Sequence, residues 1–416
     1  MTAKTTRRSR RRPAAVTALV LTVAAVCPVA AAADTSSAAE RSRTGMLEAA
    51  AERAVAAGVP GVVVRVDTGR GPVVTVVRQG SWSTPDHVLR AGDSFRMGSN
   101  TKTVTAALVL QLVAERRLRL DDTVERWLPG TVPNGGNITL RMLLNHTGGL
   151  ADSAYTARSL HLMTGHDTSR PTSEEVLALG TDLPPVGAPG GAWSYSNPGY
   201  VALGLVLERA TGRSFADLVR QRVTGPLGMR DTYVATGAAP RRGTAPLAHG
   251  YEPDAAHLRP LTEPLGLPEG WGFVGPADDE HVDTTAIDQS WGGAAAAIVS
   301  TAADWARFDR ALMSGGLFPE RLLAEMRTTV PSEGPDHRYG LGVDEYRSPC
   351  GTVWGHDGAL PGYRSDNYTD ESGRRTVSVL STTHFGLVVS PEANAAEAEL
   401  VDAAICTMLG KPVPTS

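Results

Sequence analysis

The interpretation of this 416-residue chain depends on one stretch, Phe95-Arg96-Met97-Gly98-Ser99-Asn100-Thr101-Lys102. An apolar, helical pattern from Thr103 to Val113 follows directly, so we expect Ser99 at a helix N-terminus. There, unpaired backbone N–H groups and the helix dipole favour developing negative charge. Because residues i and i+3 share a helix face, Lys102 should direct its amine at the Ser99 hydroxyl. We predict covalent catalysis with Ser99 as nucleophile and Lys102, its pKa lowered by burial, as a base.

The use of lysine in this chain supports that prediction. Ser-x-x-Lys occurs by chance in many sequences, and Ser99 could cap a helix while Lys102 is a solvated charge. Between Lys4 and Lys411, however, Lys102 is the only lysine, and every other long basic residue is arginine. Arginine cannot lose its proton in a protein, whereas lysine can. The only lysine in this range therefore lies three residues after Ser99, where a basic side chain that can lose its proton is needed.

A second group of polar side chains lies in the segment Ala192-Trp193-Ser194-Tyr195-Ser196-Asn197-Pro198-Gly199-Tyr200. Tyr195 and Asn197 are two residues apart and can both face one site from a loop. A tyrosinate could serve as a base if a nearby cation lowered its pKa. The simpler alternative packs Tyr195 on the core and lets Asn197 cap the next helix.

A third group follows a β-branched run and reads Trp354-Gly355-His356-Asp357-Gly358-Ala359. A strand that carries His and then Gly can line a cleft and leave its backbone free for a substrate to pair against. A lone histidine is weak support, so this motif gains its meaning from the other two.

Together and in this order, the three motifs resemble those of the serine β-lactamase and penicillin-binding protein superfamily. The resemblance is to the branch of class C β-lactamases, D-alanyl-D-alanine carboxypeptidases and related esterases. It extends from about Pro60 to Leu409 and is nearest to secreted actinobacterial DD-peptidases, which carry a cysteine pair in the same places. Further similar segments are Leu143-Leu144-Asn145-His146-Thr147-Gly148-Gly149-Leu150, Gly225-Pro226-Leu227-Gly228-Met229 and Ser300-Thr301-Ala302-Ala303-Asp304.

The resemblance implies a role for each motif residue. Ser99 would attack a carbonyl to form an acyl-enzyme, and Lys102 and Tyr195 would share the proton transfers. Backbone N–H groups of Ser99 and Ala359 would form an oxyanion hole, worth about 3–4 kcal/mol per donor. The implied substrate-binding residues are Asn197, which would bond the substrate amide, His356, which would support the far wall, Asp357, Gly358 and Ala359.

Two positions depart from the DD-peptidase pattern. Those enzymes hold the terminal carboxylate of the substrate with hydroxyl residues where this chain has Asp357 and Ala359. A carboxylate at Asp357 would repel such a substrate unless it is paired, and Arg347 or Arg364 could compensate. A substrate with a free amine, or a neutral ester, would suit Asp357 better.

Three functions therefore stay open. The leading prediction is a D-alanyl-D-alanine carboxypeptidase-like serine peptidase. The second is an esterase, D-amino-acid amidase or β-lactamase with the same centre. The third is a non-catalytic penicillin or cell-wall binding module, which would not need to keep Lys102. We expect a monomer that binds a small peptide, a peptidoglycan stem, a β-lactam or an ester, with no cofactor and no metal.

The N-terminus has the pattern of a secretory signal peptide, predicted as residues 1–33. Six basic residues and no acidic one precede Asp34, followed by an apolar run from about Ala14 to Ala25 and a small-residue stretch ending at Ala33. That run is short of the about 20 residues that a membrane span needs. Cleavage near Ala33 would leave 34 basic and 44 acidic residues, a net charge of −10. Such a secreted chain has no electrostatic basis for binding nucleic acid or an anionic membrane.

The cysteines and the order of elements complete the predicted fold. Cys350 and Cys406 remain after cleavage, and two cysteines in an exported chain favour one disulfide, which would brace the strand of the third motif. Strand patterns occur near both ends of the chain, among them Tyr339–Asp344, with helical patches and an irregular stretch at 235–290 between them. The last helix is predicted at Pro391–Leu409. We predict an α/β (α+β) fold, an antiparallel sheet flanked by helices and built from N- and C-terminal segments. Its lobes would be 34–98 with 291–416, and a mostly helical insertion at 99–290.

Overall fold

The computed structural model describes residues 1–3, 44–70, 72–239, 241 and 244–413. The chain divides into two units, Met1–Ser42 and Arg43–Ser416, and the fold below is that of the second. The predicted signal peptide lies outside the described residues except for residues 1–3. In the ranges given, no helix combines the length and the apolar character needed to cross a membrane.

Strands occur at both ends of the second unit and at several places between them. In chain order, the strands of the described residues are β1 (Gly61–Asp67), β2 (Val74–Gln79), β3 (Phe95–Arg96), β4 (Tyr233–Val234), β5 (Tyr251–Pro253), β6 (Ala277–Asp278), β7 (His281–Asp283), β8 (Ile298–Ser300), β9 (Val330–Pro331), β10 (His337–Tyr339), β11 (Asp344–Ser348), β12 (Gly351–Leu360), β13 (Tyr363–Thr369) and β14 (Thr376–Ser381).

Helices fill most of the rest of the described chain. They are α1 (44–56), α2 (Thr101–Ala114), α3 (Val124–Trp127), α4 (Leu140–Leu144), α5 (Ala157–Thr164), α6 (Ser173–Thr181), α7 (Asn197–Thr211), α8 (Phe215–Val219), α9 (Gly225–Leu227), α10 (Arg259–Thr262), α11 (Gly293–Ala296), α12 (Ala302–Met313), α13 (Glu320–Met326), α14 (Phe385–Val389) and α15 (Pro391–Leu409). Short 3₁₀ turns lie at Ser81–Ser83, Gly98–Asn100 and Ser290–Gly292, and a π-helical turn at Arg220–Thr224.

An eight-stranded antiparallel sheet joins the two ends of the unit, in the order β2-β1-β14-β13-β12-β11-β10-β9. Strands β1 and β14 are neighbours inside this sheet and pair so that Val62 lies opposite Ser381. Both strands contain more than one valine. They are buried almost throughout because α1 and α15 cover one face and α12 packs on the other. A strand covered on both faces needs apolar residues on both, which explains the unbroken valine run in β1.

Helix α2, which carries Lys102, lies inside the protein. Eleven of its fourteen residues are buried, and its apolar residues surround the whole helix. It packs against the helices α7 and α11 and against β12 of the sheet. A helix that is apolar all round is stable only when neighbours cover every side. The start of α2 is therefore held between the sheet and these two helices.

The predicted fold class is confirmed, since an antiparallel sheet built from both ends carries a mostly helical insertion. The last helix was predicted at its observed bounds, Pro391–Leu409. The predicted strand at Tyr339–Asp344 is wrong, because residues 340–343 form the turn between β10 and β11, where Gly342 has φ +76°. The lobe boundaries at 98/99 and 290/291 stay a prediction.

Two details bear on the site. The stretch 235–290, expected to be irregular, contains a small sheet, β5-β7-β6. Glu252 on β5 is fully buried, and its carboxylate accepts hydrogen bonds from backbone N–H groups of Gly362, His384 and Gly386. A disulfide joins Cys350, before β12, to Cys406 on α15.

Candidate active site

Ser99 lies in the 3₁₀ turn Gly98–Asn100, directly before α2. Gly98 adopts φ +50°, and a Cβ added there would lie 2.6 Å from the backbone nitrogen of Ala359. Only glycine tolerates both the left-handed conformation and this close approach. The turn is thereby packed directly on β12, so the N–H groups that were expected to form an oxyanion hole belong to two touching segments.

Hydrogen bonds from the neighbouring strand hold this turn in place. Asn100 Nδ2 donates to the backbone oxygen of Ser365 at 3.0 Å and to its Oγ at 2.9 Å. Ser365 Oγ in turn donates to the backbone oxygen of Met97 at 3.0 Å. Because these groups are buried, each bond would be costly to break. Strand β13 thus positions the turn that carries Ser99 through its contacts with Asn100 and Met97.

Lys102 has three polar neighbours around its amine. Its Nζ lies 3.0 Å from Ser99 Oγ, 2.7 Å from Asn197 Oδ1 and 3.0 Å from the backbone oxygen of Ala295. In a neutral amine, two N–H bonds can be donated to the amide and carbonyl oxygens, which can only accept. The nitrogen lone pair then faces the Ser99 hydroxyl and can take its proton.

Burial allows the Lys102 amine to be neutral near pH 7. Lys102 is fully buried, and the loss of hydration lowers the pKa of its amine to about 7, although Asp152 and Asp357 act to raise it. Desolvation disfavours the charged form of a group, which for lysine means a lower pKa. Lys102 is therefore not a solvated surface charge, the alternative that the sequence left open.

Tyr195 donates a hydrogen bond to Ser99 Oγ at 2.7 Å. Burial raises the pKa of Tyr195 well above its usual value, even though the contact with Ser99 lowers it. The phenol consequently keeps its proton, and the condition for a tyrosinate base is not met. The other alternative packed Tyr195 on the core without contact to the predicted catalytic residues. The structure does not fit it, because the Tyr195 hydroxyl contacts Ser99 Oγ.

Asn197 is held by a carboxylate that the sequence analysis did not single out. Asp152 Oδ1 accepts hydrogen bonds from the backbone nitrogen of Asn197 at 3.1 Å and from its Nδ2 at 3.0 Å. These contacts orient the amide so that Oδ1 faces Lys102. The cap of helix α7 is Ser196, whose side chain accepts from Gly199 N, and not Asn197.

His146 forms a platform beneath this group, and sequence reasoning gave it no role. Its ring centroid lies 4.4 Å from that of Tyr195 and 4.8 Å from that of Tyr339. Its Nδ1 accepts from Ser196 N at 3.1 Å, next to Tyr195 in the chain. Burial lowers the pKa of His146 well below its usual value, so the imidazole is neutral. The sequence did contain an indication of this role, because His146 lies in the segment Leu143–Leu150, which is similar to the family.

Strand β12 presents a free backbone edge to the site. It pairs with β11 only as far as Gly355, whereas its pairing with β13 extends to Leu360. Residues 356–359 of the third motif therefore lie along the unpaired part. His356 Nδ1 contacts the carbonyl oxygen of Asp357, which can only accept, so in neutral His356 this nitrogen carries the proton. The other nitrogen, Nε2, then accepts from the Tyr339 hydroxyl at 2.8 Å.

The Asp357 side chain is 44% exposed at this edge. Its Oδ2 lies 3.2 Å from Arg364 Nη2, and its Oδ1 lies 3.5 Å from His356 Nδ1. Burial opposes ionisation, but Arg364, His356 and His337 together hold the pKa of Asp357 below its usual value. Arg347, the other suggested partner, lies opposite Thr352 and contacts Glu345 at 3.7 Å instead.

The motif residues meet in one cleft with a volume of about 620 Å³. Ser99, Tyr195, Asn197, and residues 356–359 line it, with Lys102 buried beneath. The walls also combine apolar, acidic and basic groups, the basic ones being His337, Arg364 and His384. The apolar ones include Tyr155, Met163, Val176, Trp193, Trp291 and Phe385, and the acidic ones are Asp152, Glu333, Asp344 and Asp357. Within the described ranges no group of three or more His, Cys, Asp or Glu residues is arranged to hold a metal ion.

Comparison with known proteins identifies the family. The model of the family named Beta-lactamase matches residues 47–402, and the chain belongs to this family. Penicillin-binding protein 4* of Bacillus subtilis (strain 168) is 29% identical over 300 residues, which are 72% of this chain and 62% of that protein. Esterase EstB of Burkholderia gladioli is 38% identical over 196 residues, 44% of this chain and 48% of that protein. The chain thus spans less than two-thirds of the length of these two relatives.

Solved structures match over a larger share. A D-stereospecific amidohydrolase from Streptomyces sp. is 31% identical, with a TM-score of 0.69 over 84% of this chain and 97% of that one. The D-amino acid amidase from Ochrobactrum anthropi SV3, complexed with L-phenylalanine amide, is 25% identical, with a TM-score of 0.74 over 88% and 99%. The chain is thus related to serine hydrolases that include penicillin-binding proteins, an esterase and D-amino acid amidases.

Proposed function

We propose that this protein hydrolyses the amide bond of a D-amino acid amide or short peptide with a free α-amino group, through an acyl-enzyme on Ser99. The observation that carries the proposal is the Asp357 carboxylate on the free edge of β12. An anion at this position attracts an ammonium group and repels a carboxylate. The D-configuration is inferred from the two structural relatives whose names specify it.

The carboxypeptidase alternative has less support at this edge. A D-Ala-D-Ala substrate would bring its terminal carboxylate to Asp357 and Ala359, neither of which can bind it. Arg364 lines the cleft, but its guanidinium already contacts both Asp357 and Asp366. A carboxylate substrate would have to displace one of these acidic partners, at the cost of leaving it unpaired.

The proposed mechanism assigns a step to each group around Ser99. The Lys102 amine takes the proton of Ser99 as Oγ attacks the substrate carbonyl, and the N–H groups of Ser99 and Ala359 stabilise the oxyanion. The Tyr195 phenol contacts Ser99 Oγ and gives its proton to the leaving nitrogen, and the Lys102 ammonium returns a proton to Tyr195. Water then attacks the ester carbonyl and gives a proton to the Lys102 amine, which passes it to Ser99 Oγ as the acid is released.

The remaining residues support these steps in the proposal. Asn197 holds Lys102 through Oδ1 and keeps one N–H of its amide for the substrate carbonyl, since Asp152 accepts only the other. His356 supports the wall of β12, and Gly358 allows the substrate backbone to lie along it. The apolar side chains of the opposite wall, such as Trp193 and Trp291, suit a large substrate side chain.

A matched pair of substrates tests the proposal. We expect D-phenylalanine p-nitroanilide to have a much higher kcat/KM than 3-phenylpropionyl p-nitroanilide, which is the same molecule without the amine. Comparable values for the pair, or faster release of D-alanine from a D-Ala-D-Ala peptide, would overturn it. The L-phenylalanine compound tests stereospecificity. A chromogenic cephalosporin and a short-chain p-nitrophenyl ester test the β-lactamase and esterase alternatives.

Variants separate the acyl-enzyme from the specificity. Ser99→Ala should abolish turnover and labelling by a fluorescent penicillin, and retained activity would exclude the acyl-enzyme. Asp357→Thr should lower kcat/KM for the amine substrate and raise it for D-Ala-D-Ala peptides. Penicillin binding without turnover of any substrate would favour the binding-module alternative.

We further propose that the chain is exported and acts as a monomer on small substrates. The signal-peptide pattern of residues 1–33 supports export. Mass spectrometry of the protein from culture medium would test both points, with a mature N-terminus near Asp34 and a monomer mass expected.

A further inference from the structure

A row of charged side chains lies behind Asp357 and takes no part in the proposed mechanism. Arg364 donates from Nε to Asp366 Oδ2 at 3.1 Å and from Nη2 to Asp366 Oδ1 at 3.0 Å. The same Nη2 lies 3.2 Å from Asp357 Oδ2, as an ion-pair contact. Both well-formed hydrogen bonds of the Arg364 guanidinium therefore go to Asp366. Asp357 has only an ion-pair contact with Nη2, the nitrogen that also donates to Asp366.

The register of the sheet explains this arrangement. Asp357 lies opposite Asp366, and Arg364 lies opposite Ser381 on β14. Directly opposite residues of neighbouring strands project from the same face, and α15 covers that face. From α15, Glu397 accepts a hydrogen bond from Ser381 Oγ at 3.4 Å, and the neighbouring Asp366 raises the pKa of Glu397. Asp366 and Glu397 are 3% and 4% exposed.

The charges of this group do not cancel. Burial and the neighbouring Asp366 raise the pKa of Glu397 to about 8, so at neutral pH it is an acid that can donate to Asp366. Arg364 then faces two carboxylates and gives its well-formed hydrogen bonds to Asp366, so the partly exposed Asp357 at the cleft end keeps more of its negative charge. If Asp366 were neutral, Arg364 would be free to form both hydrogen bonds with Asp357 and cancel its charge.

We propose that Asp366, supported by Glu397 from α15, is a positioning residue that determines specificity by keeping Arg364 from neutralising Asp357. The inference rests on the proposed function, since it concerns the carboxylate that would receive the substrate amine. Asp366 itself is buried behind the strand and acts only through Arg364 and Asp357.

Asp366→Asn and Arg364→Gln should move specificity in opposite directions. The readout is the ratio of kcat/KM for D-phenylalanine p-nitroanilide to that for 3-phenylpropionyl p-nitroanilide. Asp366→Asn should lower the ratio about five- to tenfold, through a higher KM for the amine substrate and an unchanged kcat. Arg364→Gln should raise the ratio, because it removes the cation beside Asp357. General damage to the site would change both variants in the same direction.

Glu397→Gln is the matched control, because glutamine has the charge of the protonated acid and keeps a donor for Asp366. We expect its ratio to equal that of the wild type, and a large change would contradict the assigned charges. If the wild type shows no preference for the amine, the proposed function fails. If it does and Asp366→Asn keeps the full ratio, only the present inference is overturned. Should Asp366→Asn not fold, as thermal melting would reveal, an unchanged or lower ratio in Arg364→Gln overturns it.

Discussion

Lys102 Nζ lies 2.7 Å from Asn197 Oδ1, across 95 residues of sequence. This contact uses one N–H of the amine, the carbonyl of Ala295 uses a second, and Ser99 Oγ stands at the third direction. These contacts therefore determine which side of the Lys102 amine faces Ser99 Oγ. The first prediction concerns this amine.

Lys102→Arg should lower kcat/KM by about 10²–10⁴-fold, although it conserves the charge. Arginine keeps its proton at any accessible pH and cannot accept one from Ser99. Labelling by a fluorescent penicillin and turnover of an ester would measure the loss. Lys411→Arg is the matched control, because Lys411 is exposed near the C-terminus. If Lys102→Arg kept more than a tenth of the activity, Lys102 would not be the base.

With 3-phenylpropionyl p-nitroanilide, which has no amine that titrates, kcat/KM should rise with pH through about 7, as Lys102 loses its proton, and then stay level to about pH 9. Burial sets the position of this rise, since it lowers the pKa of Lys102 to about 7. Tyr195 does not reverse it, because burial raises its pKa well above the usual value. A profile that falls between pH 6 and 8 would contradict a neutral amine as base.

Asp152→Asn should move that rise to lower pH, because Asp152 acts to raise the pKa of Lys102. It should also lower kcat, since Asp152 orients Asn197. Asp121→Asn, a change of the same charge on a side chain that is 78% exposed, should leave the profile unchanged. A shift to higher pH in Asp152→Asn would show that its charge is not felt at Lys102.

Gly98→Ala should reduce acylation about 10²–10³-fold, the typical effect of losing one oxyanion donor. Its Cβ would lie 2.6 Å from the nitrogen and 2.7 Å from the oxygen of Ala359, so the turn and β12 would have to separate. Gly130→Ala is a close control, because Gly130 also has a positive φ (+68°) but no atom within 4 Å of the added Cβ. Equal activity of the two variants would mean that the contact with Ala359 does not matter for acylation.

Glu252→Gln should lower the free energy of unfolding by about 2–3 kcal/mol, as measured by urea denaturation. The carboxylate accepts hydrogen bonds from three backbone N–H groups and from Thr383 Oγ1. An amide has one oxygen, and its N–H₂ group would face donors. Glu269→Gln, on an exposed loop, should change the stability by less than about 0.5 kcal/mol. No loss in Glu252→Gln would show that the loops around Phe385 are held by other contacts.

Much of the local structure followed from the pattern of residues alone. The helix at Pro391–Leu409 has Ser390 as its cap, proline in its first turn and Gly410 in the left-handed conformation at its end, and these signals act within one turn of chain. The turn at 340–343 was missed because its four residues read as part of an apolar strand. Here Gly340 N donates to Val343 O, which reverses the chain between β10 and β11.

The sequence by itself predicted that Ser99 and Lys102 lie together. They are three residues apart across the 3₁₀ turn Gly98–Asn100 and the start of α2, so their approach depends on local helical geometry, and the scarcity of lysine singled out the pair. The order of the three motifs was enough to indicate the family and its sheet built from both ends of the chain.

Only the tertiary structure decided what surrounds that pair. Asp152 reaches Asn197, Tyr339 reaches His356 and Arg364 reaches Asp357 through loop paths and strand register. Burial of Lys102 and Tyr195 determines which of these side chains carries a proton. That burial likewise depends on residues far along the chain. Register assigns each strand side chain to one face, and a shift of one residue would exchange the faces. For that reason the charge at Asp357, and with it the proposed choice of substrate, was not readable from the motif alone.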